Sequence, residues 1–389
     1  MTAMRVAMLG QFPLDEARVV GGPEAVTVLL VHELARHADV EMHIVTCQPR
    51  QREHSRRTSS GIPLHVLCRR RMGRATFHYR DILHMRQVLR RIAPDVVHAQ
   101  GMGIYAGAAT HSDYPHVVTA HGIFSREAEF ARGLASRARG VLDSAFERYS
   151  VSRIKNLIAI SPYVEEELLR IGGFGGQAVR IENPVADDYF QVESDGQQAT
   201  ILHAGRVIPR KDLLTLLRAL VHVRDELPEV QLRVAGETES APDYVRTCRE
   251  FVQRSKLDTS VTFLGALTMA EMVQEYAQCA VLALSSRQET APVVIAEAMA
   301  AARPVVATRV CGVPSMVEDG ATGLLVEQGD AGKMARALVR ILSSPQLCLR
   351  LGRRGREMAE LRFRARVVAG STREVYRQLV ETGTIKRSS

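Results

Sequence analysis

The sequence predicts an α/β protein made of two successive parallel-sheet domains. Three observations carry this. Short apolar runs alternate with amphipathic stretches along the whole chain, the pattern of buried strands joined by crossover helices. The alternation breaks at Ile181-Glu182-Asn183-Pro184, passes a polar stretch from Gln191 to Gln198, and starts afresh. The chain of 389 residues, 46% hydrophobic and 24% charged, suffices for two full cores.

In the first half, strands are expected at 5–9, 41–46, 63–67, 95–99, 116–120, 156–160 and 178–181. Each is short and apolar, as a strand covered on both faces must be. Helices are expected at 23–37, 77–92 and 162–171. The last has the clearest start, with Ser161 as cap, Pro162 at the first position and Glu165 and Glu166 in the early turns. Residues 125–154, rich in Arg and Ala, read as one long or two short helices. In the second half, strands are expected at 200–203, 231–235, 261–264, 280–284, 304–307 and 323–326, with helices between them. Domain boundaries follow at 1–184 and 185–365. After Asp330 the chain reads as helix almost to its end, and the stretch 366–380 has no strand to accompany it.

Composition narrows the function classes. No apolar run approaches the ~18 residues of a membrane span. The apolar stretch in MTAMRVAMLGQFP is too short for a signal peptide and reads as the first strand. Six cysteines without a C-x-x-C pairing read as buried thiols of a reducing compartment, so a cytoplasmic location is expected. The net charge is +8, yet Arg50 to Arg91 holds twelve arginines against Glu53 and Asp81, leaving the remainder slightly acidic. That segment is either a solvated face or a patch for an anionic membrane surface or acceptor. Nucleic acid is not expected, since only Phe77 and Tyr79 interleave with the arginines and no recognition motif is present.

The chemistry concentrates between Ser285 and Val306, SSRQETAPVVIAEAMAAARPVV. The apolar run before it is a strand, and Glu289 follows at its carboxyl end, where open α/β sheets bind ligands. Pro292 opens an Ala/Val/Met-rich helix in its first turn, and Glu297 is the one acid inside it. A buried acid is costly unless partnered, so Glu297 requires a partner. Upstream, HAGRVIPRK places Arg206 and Lys211 in the loop after the first strand of the second half. A fork and a point charge beside a helix N-terminus suit a diphosphate. Gly21-Gly22-Pro23 fits either an ordinary glycine turn or an anion-binding helix start. His98 and His121 each end an apolar run.

Glu289 and Glu297 in E-x(7)-E spacing, followed by EAMA and PVVAT, resemble the retaining GT-B-fold glycosyltransferases of family 4, group 1. The resemblance spans nearly the whole chain. It implies two Rossmann-like domains facing across a cleft, with a C-terminal helix at about 366–383 crossing back to the first. It implies transfer of a hexose from a nucleotide-diphosphate sugar, a UDP-sugar favoured, to an acceptor hydroxyl. On the same resemblance Glu289 meets the transferred sugar and His121 lies beside it. Glu297 holds the ribose, Arg206 and Lys211 clamp the diphosphate, and Gly21 and Gly22 lie against it. Gly265, in FLGALT, belongs to a loop that packs on the base. Amides of Ala291, Val293 and Val294 remain to meet sugar or phosphate, because Pro292 stands where the family carries glycine and removes one donor. Asp212 and Cys311 also occupy positions where glycine is frequent. His98 matches a position on the acceptor side. Glu127, with Glu129, Asp143 and Glu147, suits a cationic aminosugar or aminocyclitol acceptor, whereas the 50–91 segment suits a lipid-linked or anionic one. No metal or other cofactor is expected. Two alternatives share the fold, a non-hydrolysing nucleotide-sugar 2-epimerase and an inactive nucleotide-sugar-binding module.

Overall fold

A computed structural model describes residues 3–16, 21–49, 51–70, 73–130, 133–193 and 199–386. Arg50, part of the basic segment, and residues 194–198 of the polar stretch lie outside the described residues. The chain divides into two compact units, Met1–Pro184 with Ala365–Ser389, and Val185–Arg364.

The first unit carries β1 (Met4–Leu9), β2 (Val40–Pro49), β3 (His54–Arg57), β4 (Pro63–Arg69), β5 (Val96–Gln100), β6 (His116–Ala120), β7 (Asn156–Ala159) and β8 (Gln177–Arg180). They form one sheet in the order β3-β4-β2-β1-β5-β6-β7-β8, parallel except for the antiparallel β3. Strands β5, β6 and β7 are buried at every position, which is why they read as continuous apolar runs. Strand β3, HSRR, was not expected from the sequence. All four of its residues are exposed, so it has no apolar alternation, and its pairing with β4 alone makes it a strand. Charges on such an edge also discourage pairing with other chains. Residues 125–154 resolve as two helices, Phe124–Ala128 and Leu134–Val151. The helix Ala365–Thr382 buries Val368, Ala369, Val375, Tyr376 and Leu379 in this unit's core beside Val6, Met8 and Leu30. Arg377 of the same helix pairs with Asp39 at 2.9 Å.

The second unit carries β9 (Thr200–Ala204), β10 (Gln231–Ala235), β11 (Val261–Gly265), β12 (Val281–Leu284), β13 (Val305–Thr308) and β14 (Gly323–Val326). The sheet is wholly parallel in the order β11-β10-β9-β12-β13-β14. From β9 the chain winds one way to β10 and β11, and from β12 the other way to β13 and β14. The loops after the neighbouring β9 and β12 therefore diverge, and the crevice between them is where doubly wound sheets hold ligands.

Candidate active site

The second unit assembles its charged groups at that switch point. Lys211, in the loop after β9, donates from Nζ to Glu289 Oε1 at 2.5 Å. Ser286 Oγ donates to the same oxygen at 2.6 Å, and Arg210 Nη1 lies 3.8 Å from Glu289 Oε2. Both members of the pair are shielded, with side chains 13% and 5% exposed for Lys211 and Glu289. Burial alone would raise the Glu289 carboxyl, but Lys211 and then Arg210 outweigh it and hold Glu289 below the usual carboxylate range. Burial draws Lys211 down, with Glu289 acting against it. The loops are tied by backbone and side chain alike. Arg287 N donates to the Arg210 carbonyl at 2.8 Å, and Arg210 Nη1 donates to the Gln288 carbonyl at 2.9 Å. Arg287 forks onto Asp212 at 3.0 and 3.3 Å.

Arg206 and Lys211 differ in exposure. The Arg206 side chain is exposed and, among the described residues, makes no hydrogen bond or ion pair, while its charge helps lower Glu237. Lys211 is not exposed, because the β9–β12 adjacency sets it against Glu289. Glycine is required close by. A Cβ on Gly236 would stand 1.9 Å from the Gly205 carbonyl oxygen. Gly265 ends β11 at φ 75°, and its carbonyl accepts from Gly236 N at 2.7 Å. Asp212 and Cys311 have φ of 48° and 49°, the left-handed region that explains glycine at these positions. Bonds to Arg287 and Thr215 hold Asp212 there.

The helix after Glu289 runs Val293–Ala300 and not from Pro292, which stands before it in extended backbone at ψ 116°. The missing N–H is thus at the capping position, and Val293 and Val294 supply the leading amides. Ala291 is buried. Glu297 is half-buried and does have side-chain partners. Tyr276 Oη donates to Glu297 Oε2 at 3.0 Å, and the Tyr189 side chain bonds it too. The two tyrosine rings meet edge-on at 5.5 Å. Burial, opposed by Tyr276 and then Tyr189, pushes the Glu297 carboxyl up to about 7. Nothing in the sequence marks Tyr189 or Tyr276 as partners of Glu297.

In the first unit, Gly21 (φ 92°) caps the helix Gly22–Leu34, with Pro23 in its opening turn. His121 follows β6 and is buried, with Nε2 2.6 Å from Gln100 Oε1. His98 is wholly buried on β5, with its ring bonded to Tyr376, Thr119 and Gln100. It does not line a surface, which corrects its expected place on the acceptor side. Of the acids after His121, three are engaged internally. Glu147 is fully buried and accepts from the amides of Phe124 and Ser125 at 2.7 and 2.9 Å, closing the start of the helix Phe124–Ala128. Asp143 takes Arg74, and Glu129 takes Arg126. Glu127 is exposed, with a carboxylate oxygen 3.1 Å from where a Gly122 Cβ would stand.

The profile described as Glycosyltransferase Family 4 matches residues 20–189, and that described as Glycosyl transferases group 1 matches 198–344. The chain belongs to the family 4, group 1 glycosyltransferases. The D-inositol 3-phosphate glycosyltransferase of Streptomyces bingchenggensis is 30% identical over 59% of this chain, an alignment spanning 54% of that relative. Among solved structures, sucrose-phosphate synthase of Thermosynechococcus elongatus superposes over 97% of this chain and 99% of its own, with a TM-score of 0.80 and 22% identity. HepE of Anabaena in complex with UDP-glucose covers 97% of this chain and 100% of its own, with a TM-score of 0.76 and 19% identity. Both share the GT-B fold with this chain. Glu289 and Glu297, the pair that resembles the family's E-x(7)-E acids, stand in opposite electrostatic surroundings.

Proposed function

We propose that the protein is a retaining hexosyltransferase that takes its sugar from a nucleotide-diphosphate sugar, with a UDP-sugar favoured, and delivers it to an acceptor hydroxyl. The observation that carries this is the Lys211–Glu289 pair at the β9–β12 switch point, with the exposed Arg206 near enough for its charge to act on Lys211. A departing nucleotide diphosphate gains negative charge, and preorganised cations stabilise it. Arg206 and Lys211 are assigned to that charge, and no divalent metal is required. Glu289, kept ionised, orients the sugar hydroxyls. Glu297 accepts from the ribose, and the amides of Val293 and Val294 face the sugar or phosphate. Gly265 lies by the base. Gly21, Gly22 and His121 are assigned to the diphosphate and the sugar on the family resemblance alone. UDP-glucose should raise the melting temperature more than GDP- or ADP-glucose, and slow hydrolysis of the donor should accompany it. EDTA should leave that turnover within about twofold. No shift with any of the three would sink the donor assignment. Activity lost to EDTA and restored by Mg²⁺ or Mn²⁺ would sink the metal-free chemistry.

For the acceptor, a lipid-linked or membrane-borne anionic molecule is the reading we favour. The basic segment is less free than its composition suggests. Arg74 pairs with Asp143, and Arg86 and Arg90 share Asp113, while Arg71 lies outside the described residues. The support comes from the helix Leu134–Val151. Its apolar stripe Leu134, Ala138, Val141, Leu142, Ala145 recurs at helical spacing and faces outward, with Leu134 87% and Val141 69% exposed. Its packed side holds Glu147, Ser150 and Val151 instead. Helical spacing sets Arg137 and Arg148 along one edge of the stripe and Arg139 along the other, the arrangement of an interfacial helix on anionic lipid. No described helix is long and apolar enough to cross a membrane. Binding to phosphatidylglycerol vesicles should weaken with salt, and Val141→Glu should reduce it at least tenfold. Equal binding by that variant, or none by wild type, would remove the membrane from the reading.

A further inference from the structure

One set of buried polar groups in the first unit is left unused by this reading, except at its end. Five side chains are hydrogen-bonded together, four of them on β5, on β6 or just after β6. His98 Nδ1 is 2.6 Å from Tyr376 Oη on the C-terminal helix. His98 Nε2 is 2.7 Å from Thr119 Oγ1 and 3.2 Å from Gln100 Nε2. Gln100 Oε1 is 2.6 Å from His121 Nε2. The chemistry of an amide orders the protons along this series. As the Gln100 amide is oriented, Nε2 faces His98 and only donates, so His98 Nε2 offers the lone pair, which Thr119 Oγ–H also reaches. The His98 proton is therefore on Nδ1 and is donated to Tyr376. Gln100 Oε1 only accepts, so His121 carries its proton on Nε2.

We propose that Gln100 is the positioning residue for His121. Its amide, braced by Thr119, His98 and Tyr376, holds His121 as a neutral imidazole protonated on Nε2. The ring then enters the reaction as a fixed neutral group, neither a cation nor a proton donor at neutral pH. This rests on the reading above that His121 attends the transferred sugar. The surroundings agree. Burial draws His121 down to about 4, with a bond to the Asn183 side chain acting against it. Burial and then the neighbouring His121 draw His98 down to about 3. Tyr376 lies beyond His98 and is buried, and the exposed Glu127 lies beside Gly122. The far anchor comes from the helix Ala365–Thr382, so an unbroken series of hydrogen bonds links that helix to His121.

The test pairs spectra with kinetics. In protein labelled with ¹⁵N-histidine, His121 should appear as the neutral Nε2–H form and His98 as the neutral Nδ1–H form across pH 6–8. Gln100→Glu keeps an acceptor for His121 but cannot donate to His98, and its charge should lift His121 toward neutrality. Its rate profile should gain an ionisation between pH 5 and 8 that wild type lacks. Gln100→Leu should lower kcat about ten- to a hundredfold, with the donor KM within about threefold. Tyr376→Phe, which removes only the far anchor, is the milder variant should Gln100→Leu fold poorly, and it should lower kcat by a smaller factor. An Nδ1–H or doubly protonated His121 in wild type overturns the proposal, as does an unchanged pH profile in Gln100→Glu. If wild type turns over no nucleotide sugar, the assigned reaction fails, while the spectra still decide the proton positions.

Discussion

Lys211→Met is expected to lower the melting temperature of the second unit by on the order of 10 °C and to abolish turnover. The substitution removes the nearest cation from Glu289, which stays buried with only Ser286 in contact and Arg210 at 3.8 Å. Stripping one partner from a buried pair costs about 3–5 kcal/mol, at about 2–4 °C per kcal/mol for a unit of this size. The pH dependence carries a definite sign. In wild type, Glu289 is held below the usual carboxylate range, so its contribution is present above that range and fades as pH falls through the depressed value. In Lys211→Met burial prevails and raises the carboxyl. The deficit then grows as pH climbs through neutrality and shrinks in acid, where Glu289 takes up a proton. The double variant Lys211→Met/Glu289→Gln should regain most of the lost melting temperature yet remain inactive. A Lys211→Met protein that melts within about 2 °C of wild type across pH 5–8 would show that the pair bears no buried charge.

Glu289→Gln and Glu297→Gln are expected to fail in different ways. Glu289 is assigned to the sugar, whose ring flattens and gains positive charge, so its bonds strengthen in the transition state. Glu289→Gln should lower kcat and kcat/KM together. Glu297 is assigned to the ribose, which does not react, and Glu297→Gln should mainly raise the donor KM. A hydrogen bond to a charged group is worth roughly 1.5–3 kcal/mol, so each loss should be about ten- to a hundredfold. UDP separates them, since it lacks the sugar. Calorimetry should find Glu289→Gln binding UDP like wild type and Glu297→Gln binding it more weakly. The tyrosine-lined site adds a pH signature. With its carboxyl pushed up to about 7, Glu297 is ionised above neutrality and protonated below it. Wild-type affinity for UDP should therefore fall more steeply from pH 8 to 6 than that of Glu297→Gln. Equal losses of UDP affinity in both variants would defeat the division of roles.

The two-sheet α/β class and the strands of both sheets other than β3 were legible in the sequence. A parallel strand covered on both faces must be apolar throughout, and that pattern is local. Strand β3 escaped because an edge strand with every residue in water needs no apolar face, and only pairing with β4 defines it. The acids of the site were legible for a similar reason, since Glu289 and Glu297 share one loop and helix whose spacing is set by adjacent residues. Their surroundings were not. Lys211 and Glu289 meet because β9 and β12 are neighbours, an order set by how the whole sheet winds. The same order decides that Lys211 is shielded by Glu289 while Arg206, five residues before it, is in water. Tyr189 and Tyr276 reach Glu297 from separate helices, and His98 reaches Tyr376 from the far end of the chain. Residue type and local period thus determined which groups the protein has for its chemistry. Sheet order and burial decided which charges face one another, and so which carboxyl stays ionised and which holds its proton near neutrality.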